Sequence, residues 1–213
     1  MSPAVSVIIP LYNKAPYILN TLHSVLGQTF QEFEIIVVND GSSDGGERKV
    51  SAFEDTRIRL INQENAGVSA ARNRGVAEAR TDHVAFLDAD DEWEPTFLET
   101  MWRLRSRYPR ASLYASSYEF RGQSKRRRPK IMLPGESVMD LHEYTALSIR
   151  HDSFICASAV MMHKTHLNEI GGFPVGIPRG EDLDVWFRMV DRSPLVFFNR
   201  ALAFYRLNTA GSA

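Results

Sequence analysis

Carboxylates crowd the end of one short apolar segment, and their spacing is typical of a binding site for a hard metal ion. The apolar segment 84–87 predicts a buried strand, and Asp88, Asp90, Asp91 and Glu92 follow it at once. Two carboxylates about 5 Å apart repel each other by roughly 3 kcal/mol at an effective dielectric constant near 20, so a bound cation would stabilise the group. The spacing Asp88-x-Asp90 suits a divalent metal that takes one or two carboxylates and completes its shell with diphosphate oxygens and water. A solvated acidic turn is the alternative interpretation.

The elements that must position these carboxylates alternate between strand and helix. Strands are predicted at 5–9, 34–38, 58–61 and 84–87, and helices at 16–28, 47–53, 68–79 and 95–108. This alternation predicts right-handed β-α-β units, and hence an α/β fold with a mainly parallel central sheet flanked by helices. Ligands of such sheets bind beyond the carboxyl ends of the strands, where Pro10, Asp40 and 88–90 are all expected.

The second half of the chain gives weaker signals. Strands are predicted at 111–118, 157–162 and 201–205, and helices at 138–149, 164–170 and from residue 180 onward. The segment 119–137 is polar, basic and interrupted by prolines, which predicts an exposed excursion. Because no flexible linker divides the sequence, residues 1–213 are predicted to form one domain.

Composition limits the class of protein. Of the 213 residues, 44% are apolar, so a packed core is feasible and global disorder is not expected. A net charge of −1 argues against a broadly basic surface, although 125–130 is a basic run. The single cysteine, Cys156, cannot form an internal disulfide, which favours a reducing compartment. We expect a soluble protein, since neither a signal peptide nor an apolar stretch of about 18 residues is found, though a longer native chain could carry an anchor.

Short blocks, in order along nearly the whole chain, resemble those of family 2 glycosyltransferases. They are VSVIIPLYNK (5–14), VVNDGSSD (37–44), NAGVSAARNRG (65–75), FLDADD (86–91), GGF (171–173), GED (180–182) and YR (205–206). The resemblance implies a GT-A fold, a nucleoside-diphosphate sugar as donor, a divalent metal (Mn²⁺ or Mg²⁺) and inversion at the anomeric carbon.

The resemblance also implies which residues bind the donor. Asp40 resembles the carboxylate that accepts a hydrogen bond from the donor's base, usually uracil, and an Asx-turn role is the alternative. The backbone from Pro10 to Tyr12 would flank the nucleoside, with Tyr12 either a stacking surface or core filler. Asp88 would face the ribose or the water shell of the metal, with Ala89 beside it in the donor site.

The chemical roles fall on acids at two places in the chain. Asp90 would bind the metal, which offsets the charge that develops on the departing nucleoside diphosphate. Glu181 is assigned to donor binding, and Asp182 would be the base that takes the acceptor's hydroxyl proton, a role that contributes roughly 10²–10⁴ in rate. The alternative for Asp182 is an acid that stabilises a helix N-terminus, and both roles can hold. Asp184 is expected only to pair with Arg188 at the surface.

Other features depart from the family pattern or carry no clear chemistry. Many relatives have a histidine soon after the Tyr-Arg pair, but in this chain the pair is followed by Leu207-Asn208-Thr209. The metal site is therefore expected to be closed differently or by residues beyond Ala213. Arg72 could approach the donor phosphates, but the default interpretation is an arginine exposed on its helix. The histidines are expected at the surface, since His163-x-x-His166 is too short and isolated for zinc.

The sequence therefore predicts an inverting, metal-dependent glycosyltransferase that moves a sugar, usually from a uridine diphosphate, to an acceptor hydroxyl. The acceptor is expected to be a glycan or a lipid-linked molecule in bacterial-style assembly of a surface polysaccharide or glycolipid. Residues 1–105 would form the donor-binding half and 106–213 the acceptor-binding half. The expected location is the cytoplasm, at the inner face of the plasma membrane, where 125–130 would contact an anionic surface or a lipid diphosphate.

Two other classes remain open. A nucleic-acid-binding module would use the basic run 125–130, but the near-neutral net charge and the lack of interleaved aromatic residues disfavour it, so no nucleic-acid partner is expected. The second alternative is a catalytically inactive protein that binds a nucleotide sugar. A dehydrogenase is disfavoured because no G-x-G-x-x-G follows the first strand.

Overall fold

Strands and helices alternate along the structure, a computed structural model that describes residues 2–122, 126–150, 153–177 and 179–207. The strands are β1 (Val5–Leu11), β2 (Phe33–Asp40), β3 (Ile58–Gln63), β4 (His83–Phe86), β5 (Glu92–Trp93), β6 (Leu113–Arg121), β7 (Arg126–Arg127), β8 (Glu136–Met139), β9 (Val160–His163) and β10 (Leu195–Arg206). The helices are α1 (Ile18–Leu26), α2 (Gly46–Ser51), α3 (Val68–Glu78), α4 (Phe97–Arg107), α5 (Leu141–Arg150), α6 (Lys164–Glu169) and α7 (Glu181–Arg192), and a 3₁₀ turn covers Ala157–Ala159.

One mixed sheet joins these strands. Within the described residues it has ten strands, eight of them in the order β3-β2-β1-β4-β9-β6-β10-β5, with β7 beside β6 and β8 beside β10. Strands β1 to β4 are all parallel, whereas β9 pairs with β4 and β6 in the antiparallel direction. Strands β6 and β10 are parallel to each other. The predicted α/β fold is confirmed, and the antiparallel β9 joins its two parallel groups.

Helices cover both faces of the sheet because β1 sends its side chains alternately to each. Val7 and Ile9 face a core that α1 and α4 close through residues such as Leu22 and Met101. Ile8 faces the opposite core, which α3 and α7 close. Burial on both faces explains why every residue of β1 except Ser6 is apolar. The three layers leave the carboxyl ends of β1, β2 and β4 as the edge where loops can form a site.

Pro10 lies inside β1, although the sequence predicts that the strand ends there. It pairs with Val38 of β2, and β1 continues to Leu11. On its other side, β1 pairs with β4 from Val5 to Ile8. The proline, which has no N–H to donate, therefore lies where that neighbouring ladder has already ended.

The last strand is much longer than predicted. It runs over twelve residues as β10, whereas the sequence predicts a strand only at 201–205. The register against β6 shifts between Phe198 and Ala201, where Asn199 and Arg200 interrupt the apolar run. Because this polar pair divides the apolar pattern, the part of β10 before residue 199 was not predicted as a strand.

Two further predictions in the second half are wrong at their starts. The helix predicted at 138–149 begins at Leu141, because β8 occupies the preceding residues and pairs with β10. The strand predicted at 157–162 begins at Val160, after the 3₁₀ turn. Met139 of β8 and Ala157 and Ala159 of the 3₁₀ turn are buried, so apolar residues mark these segments without fixing their conformation.

The basic run 125–130 is neutralised in part. Lys125 lies outside the described residues, and Arg128 donates through Nε to Glu119 at 3.1 Å. Arg121 lies 3.4 Å from the same carboxylate. Among the helices of the described ranges, none is long and apolar enough to span a bilayer.

The expectation of surface histidines is wrong for His83. The residue is 4% exposed, and its ring contacts the rings of Trp102 and His163, at centroid distances of 5.5 and 5.1 Å. Burial, together with the charge of Arg105, lowers the pKa of His83 to about 4, so the ring is neutral near pH 7. The His163 ring lies 4.9 Å from that of His166.

Gly75 allows α3 to lie directly against β1. A Cβ atom at this position would fall well inside van der Waals contact of Cγ2 of Ile8, a fully buried side chain. Although alanine is the better helix former, we expect Gly75→Ala to lower the free energy of unfolding by about 1–3 kcal/mol, as overpacked cores do. Urea denaturation followed by circular dichroism measures the change.

Gly135→Ala is the matched control for this prediction. A Cβ atom at Gly135 would meet no atom within 4 Å, so its free energy of unfolding should stay close to that of the unchanged protein. Equal stability of the two variants would contradict the close approach of α3 to β1.

Candidate active site

A cleft of about 400 Å³ opens beyond the carboxyl ends of β1, β2 and β4. Residues from both halves of the chain line it, among them Cys156 and Tyr205 from the second half. Of the eight residues predicted from the sequence, the cleft brings together Pro10, Tyr12, Asp40, Asp88, Asp90, Glu181 and Asp182. The eighth, Ala89, is buried, and its carbonyl oxygen accepts a hydrogen bond from Thr21. Ala89 is thus the one predicted site residue that the cleft lining does not include.

Asp40 organises the loop that leads into α3. Its Oδ1 accepts hydrogen bonds from Gln63 Nε2 at 2.7 Å and from the backbone N–H of Ala66 at 2.9 Å, and Oδ2 accepts one from the N–H of Gly67 at 2.9 Å. The Asx-type bond of this turn is made instead by Asn39, whose Oδ1 accepts from the N–H of Ser42. A carboxylate has about four acceptor sites, so Asp40 retains capacity for a further donor from the cleft.

The acidic loop after β4 is anchored by its own buried carboxyl group. Asp91 accepts hydrogen bonds from Ser158 Oγ at 2.5 Å and from the backbone N–H of Arg206 at 2.9 Å. Burial, and then the charge of Asp88, raises the pKa of Asp91 well above its ordinary value. Thr21 Oγ1 lies within 3 Å of the carbonyl oxygens of Ala89 and Asp91. These contacts hold the loop rigidly, so Asp91 has a structural role: it anchors the loop that carries Asp88 and Asp90.

Asp90 faces the cleft beside an ammonium group. Lys14 Nζ donates to Asp90 Oδ2 at 2.6 Å, and the side chains of both residues are 12% exposed. Asp88 is more open, at 28%. Two carboxylates on a cleft wall fit a hard divalent cation, which takes one or two such ligands when phosphate oxygens and water complete its shell. Within the described ranges, no three His, Cys, Asp or Glu side chains form a site made of protein ligands alone.

Arg72 is buried between two acids of the cleft, contrary to the default of an exposed arginine. Its Nη2 donates to Asp88 Oδ1 and its Nη1 to Glu181 Oε1, both at 2.9 Å, and its side chain is 3% exposed. Its guanidinium also lies 5.3 Å from the centre of the Phe173 ring. Burial alone would lower the pKa of Arg72, but the charges of and hydrogen bonds from both carboxylates outweigh it and raise the pKa.

Asp182 lies in the first turn of α7, beside Glu181. Its Oδ1 accepts a hydrogen bond from the N–H of Leu183 at 2.8 Å. Burial, and then the charge of Glu181, raises the pKa of Asp182 above its ordinary value, although Arg72 opposes this. A raised pKa makes a carboxylate a stronger proton acceptor. Asp184, two positions further along, pairs with Arg188 as predicted.

Two tyrosines border the cleft. The Tyr12 residue is 50% exposed, so it does not fill the core and offers a face to a ligand. Tyr205 lines the cleft from β10, and burial, with the charges of Asp88 and Asp91, raises the pKa of its hydroxyl. The neighbouring Arg206 turns away and donates to Glu92. A planar ligand therefore has aromatic surface available at the cleft.

Sequence reasoning missed or misjudged two cations of this site. Lys14 lies 76 positions from Asp90, and Arg72 lies 109 positions from Glu181, so no local pattern reveals either pairing. Lys14 follows Asn13 in the block 5–14, and Arg72 precedes Asn73 in the block 65–75. Their positions inside these blocks were the available sequence signal for a place in the site. Their contacts show that three acids of the cleft, Asp88, Asp90 and Glu181, are each paired with a basic side chain.

The sequence comparisons with known proteins all point to glycosyltransferases. The sequence model described as Glycosyl transferase family 2 matches residues 6–171. TuaG of Bacillus subtilis, a putative teichuronic acid biosynthesis glycosyltransferase, is 32% identical over 214 residues, which cover 96% of this chain and 79% of that protein. An uncharacterized glycosyltransferase of Rickettsia felis is 30% identical over 201 residues, which cover 92% of this chain. The chain spans about a third of the length of this relative and of a second one from Rickettsia conorii.

Solved structures share the fold. A crystal structure of S. aureus TarS in complex with UDP-GlcNAc superposes with a TM-score of 0.81 at 19% identity and covers 97% of this chain and 59% of that one. A second TarS crystal structure gives a TM-score of 0.82 at 21% identity. The fold expected from the sequence resemblance is therefore confirmed.

The pairing of Arg72 gives a prediction about stability. Arg72→Met would leave Asp88 and Glu181 without their shared partner, and we expect the free energy of unfolding to fall by about 3 kcal/mol. This is the lower end of the range for broken buried pairs, because Asp88 is partly exposed. Chemical denaturation at neutral pH measures the loss.

Arg74→Met on the same helix is the control. Arg74 is 49% exposed and pairs with Glu78 on the surface, so its loss should cost only about 0.3–0.5 kcal/mol. If both variants lost equally little, the buried bridge would not hold the two halves of the cleft together.

Proposed function

Because the chain belongs to glycosyl transferase family 2, we propose that it moves a sugar from a nucleoside-diphosphate sugar to an acceptor hydroxyl group, with inversion at the anomeric carbon. One observation carries the proposal: Asp40, Asp90 and Asp182 line the same cleft. In this proposal Asp40 binds the nucleobase, Asp90 binds the metal that accompanies the diphosphate, and Asp182 accepts the proton of the acceptor hydroxyl. The donor-binding role falls to 1–105 and the acceptor-binding role to 106–213, since each half contributes one wall.

The donor is a uridine diphosphate sugar in this proposal. Asp40 is fixed by three hydrogen bonds and can accept another from the N–H of a pyrimidine base. Tyr12 and the backbone beside Pro10 would flank the nucleoside, and Asp88 would face the ribose. The likeness to TarS in complex with UDP-GlcNAc supports this choice of nucleotide.

Asp90, with Asp88 as its neighbour, would hold a divalent cation, Mn²⁺ or Mg²⁺. When bound, such a cation neutralises the charge that develops on the departing diphosphate. The rigid loop anchored by Asp91 keeps Asp90 in place, because the carbonyl oxygens around it are already engaged by Thr21. The protein therefore provides the ligands in a fixed arrangement before the donor enters.

Asp182 is the catalytic base in this proposal. Inversion requires a single displacement, in which the acceptor oxygen forms the new bond to the anomeric carbon as the diphosphate leaves. Asp182 would take the proton from that oxygen, and burial, which raises its pKa, makes it the better acceptor. Glu181 cannot serve equally well, because Arg72 holds its carboxylate.

The biological setting that we propose is the assembly of a surface polysaccharide. The support is that a relative matched over most of its length is named for teichuronic acid biosynthesis. The acceptor would be a growing glycan or its lipid-linked precursor, entering from the side of α7.

Asp182→Asn tests the assignment of the base. Its amide cannot accept the proton, so we expect transfer to fall by about 10²–10⁴-fold, with nucleotide binding nearly unchanged. The assay is release of the nucleoside diphosphate, with the donor that gives the largest thermal shift in a panel of nucleotide sugars. In the unchanged protein, the transfer rate should fall as the pH drops through the pKa of Asp182. Because burial raises that pKa, the fall should occur above the ordinary aspartate pKa of about 4.

Asp184→Asn is the matched control, because it makes the same substitution two positions away at a residue paired with Arg188. It should retain nearly full turnover. Full turnover of the Asp182 variant would refute the base assignment. Binding without any turnover by the unchanged protein would favour the alternative, an inactive nucleotide-sugar-binding protein.

A second prediction concerns the metal. With Mn²⁺ present, uridine diphosphate at 100 times its dissociation constant should stabilise the protein by about 2.7 kcal/mol. The same nucleotide concentration without Mn²⁺ should stabilise it less. Asp90→Asn should remove this dependence on the metal, because it removes the charged ligand. Thermal-shift titrations with and without a chelator measure both effects.

Asp184→Asn again serves as the control and should keep the metal dependence. Equal stabilisation by uridine diphosphate with and without Mn²⁺, in the unchanged protein, would show that no metal assists donor binding. The proposal of a metal-assisted transfer would then be wrong.

A further inference from the structure

Lys14 occupies a position that a transferase of this kind would need for its metal. Its ammonium nitrogen lies 2.6 Å from Oδ2 of Asp90, the carboxylate proposed as the metal ligand. Both side chains are largely shielded from water, which strengthens their attraction. An ammonium group on this oxygen repels a divalent cation that approaches the same carboxylate, so the two cations compete for Asp90.

The backbone on each side of Lys14 is held by the loop that follows β2. Asn13, which has a φ of 51°, donates its N–H to Ser42 Oγ, and its Oδ1 accepts from the N–H of Ser43 at 2.8 Å. On the other side, the N–H of Ala15 donates to Asp44 Oδ2 at 2.7 Å. These bonds fix the backbone from which the lysine side chain extends, so its ammonium can move only within the reach of that side chain.

The charge of the cleft explains why such a cation is useful. Among the described residues, five carboxylates line it, at positions 40, 88, 90, 181 and 182, against the two cations Lys14 and Arg72, so these side chains carry a formal charge of −3. Arg72 is committed to Asp88 and Glu181. A diphosphate would be repelled unless cations came with it or turned toward it.

We propose that Lys14 is an exchangeable counter-ion of Asp90. It pairs with Asp90 while the cleft is empty, and it gives up this carboxylate when a divalent cation and the donor diphosphate bind together. The released ammonium then stays in the cleft as a partner for phosphate oxygens. This inference rests on the proposed function, and it makes Lys14 a residue that links metal binding to donor binding.

Manganese binding to Lys14→Met, without nucleotide, tests the exchange. Removing the competing ammonium should tighten Mn²⁺ binding by about tenfold, measured by the loss of the free Mn²⁺ signal in electron paramagnetic resonance. Lys130→Met is the control, because Lys130 is exposed and lies outside the cleft lining, and its Mn²⁺ affinity should match the unchanged protein. Asp90→Asn should abolish the binding in either background, and thermal melting confirms that each variant is folded.

A second measurement tests the phosphate contact. With saturating Mn²⁺, Lys14→Met should bind uridine diphosphate less tightly but uridine with unchanged affinity, as isothermal calorimetry would show. Unchanged Mn²⁺ affinity in Lys14→Met, alongside binding that Asp90→Asn abolishes, would overturn the exchange and leave the proposed function intact. No Mn²⁺ binding to the unchanged protein or to Lys14→Met would instead overturn the metal-assisted function itself, and the exchange with it.

Discussion

The buried guanidinium of Arg72 is the interaction on which the cleft depends. A charge in the interior is costly unless it is paired and hydrogen-bonded, and both partners of Arg72 are carboxylates at 2.9 Å. One carboxylate follows β4 and the other begins α7, so a single side chain joins the parallel half of the sheet to the second half. The position of Asp182, next to Glu181, is thus set by an ion pair that also fixes Asp88.

The remaining architecture supports this pairing at a distance. Gly75 brings α3, which carries Arg72, into direct contact with β1, and Asn73 on the same helix donates to the carbonyl of Phe173 at 2.8 Å. The loop before α3 is in turn held by Asp40 through the N–H groups of Ala66 and Gly67. A residue proposed to read the base therefore also positions the helix that organises the acids, and its loss would affect both.

Sequence reasoning succeeded where the determinants are local and failed where they are distant. Strands β1 to β4 follow from apolar runs ended by turn residues, and the spacing of Asp88 and Asp90 after β4, together with the motif blocks, placed both at the cleft. Arg72 was misjudged because its burial depends on Glu181, 109 positions away, and the start of β10 was missed because Asn199 and Arg200 divide its pattern. Charge pairing and strand register across the sheet are properties of the assembled fold, which no window of sequence contains.

The acids of the cleft differ in what their partners allow them to do. Asp91 is buried with a raised pKa and bonded to Ser158 and Arg206, so it serves the structure. Asp88 is held by a guanidinium that is itself buried, and such a bridge is costly to break. Asp90 is held by a lysine, whose flexible ammonium can leave a carboxylate more readily than a forked guanidinium can. If Asp90 binds the metal as proposed, the kind of cation opposite each acid distinguishes a permanent structural carboxylate from a metal ligand. The proposed exchange would then break one ion pair while the buried pairs of Arg72 keep the cleft rigid.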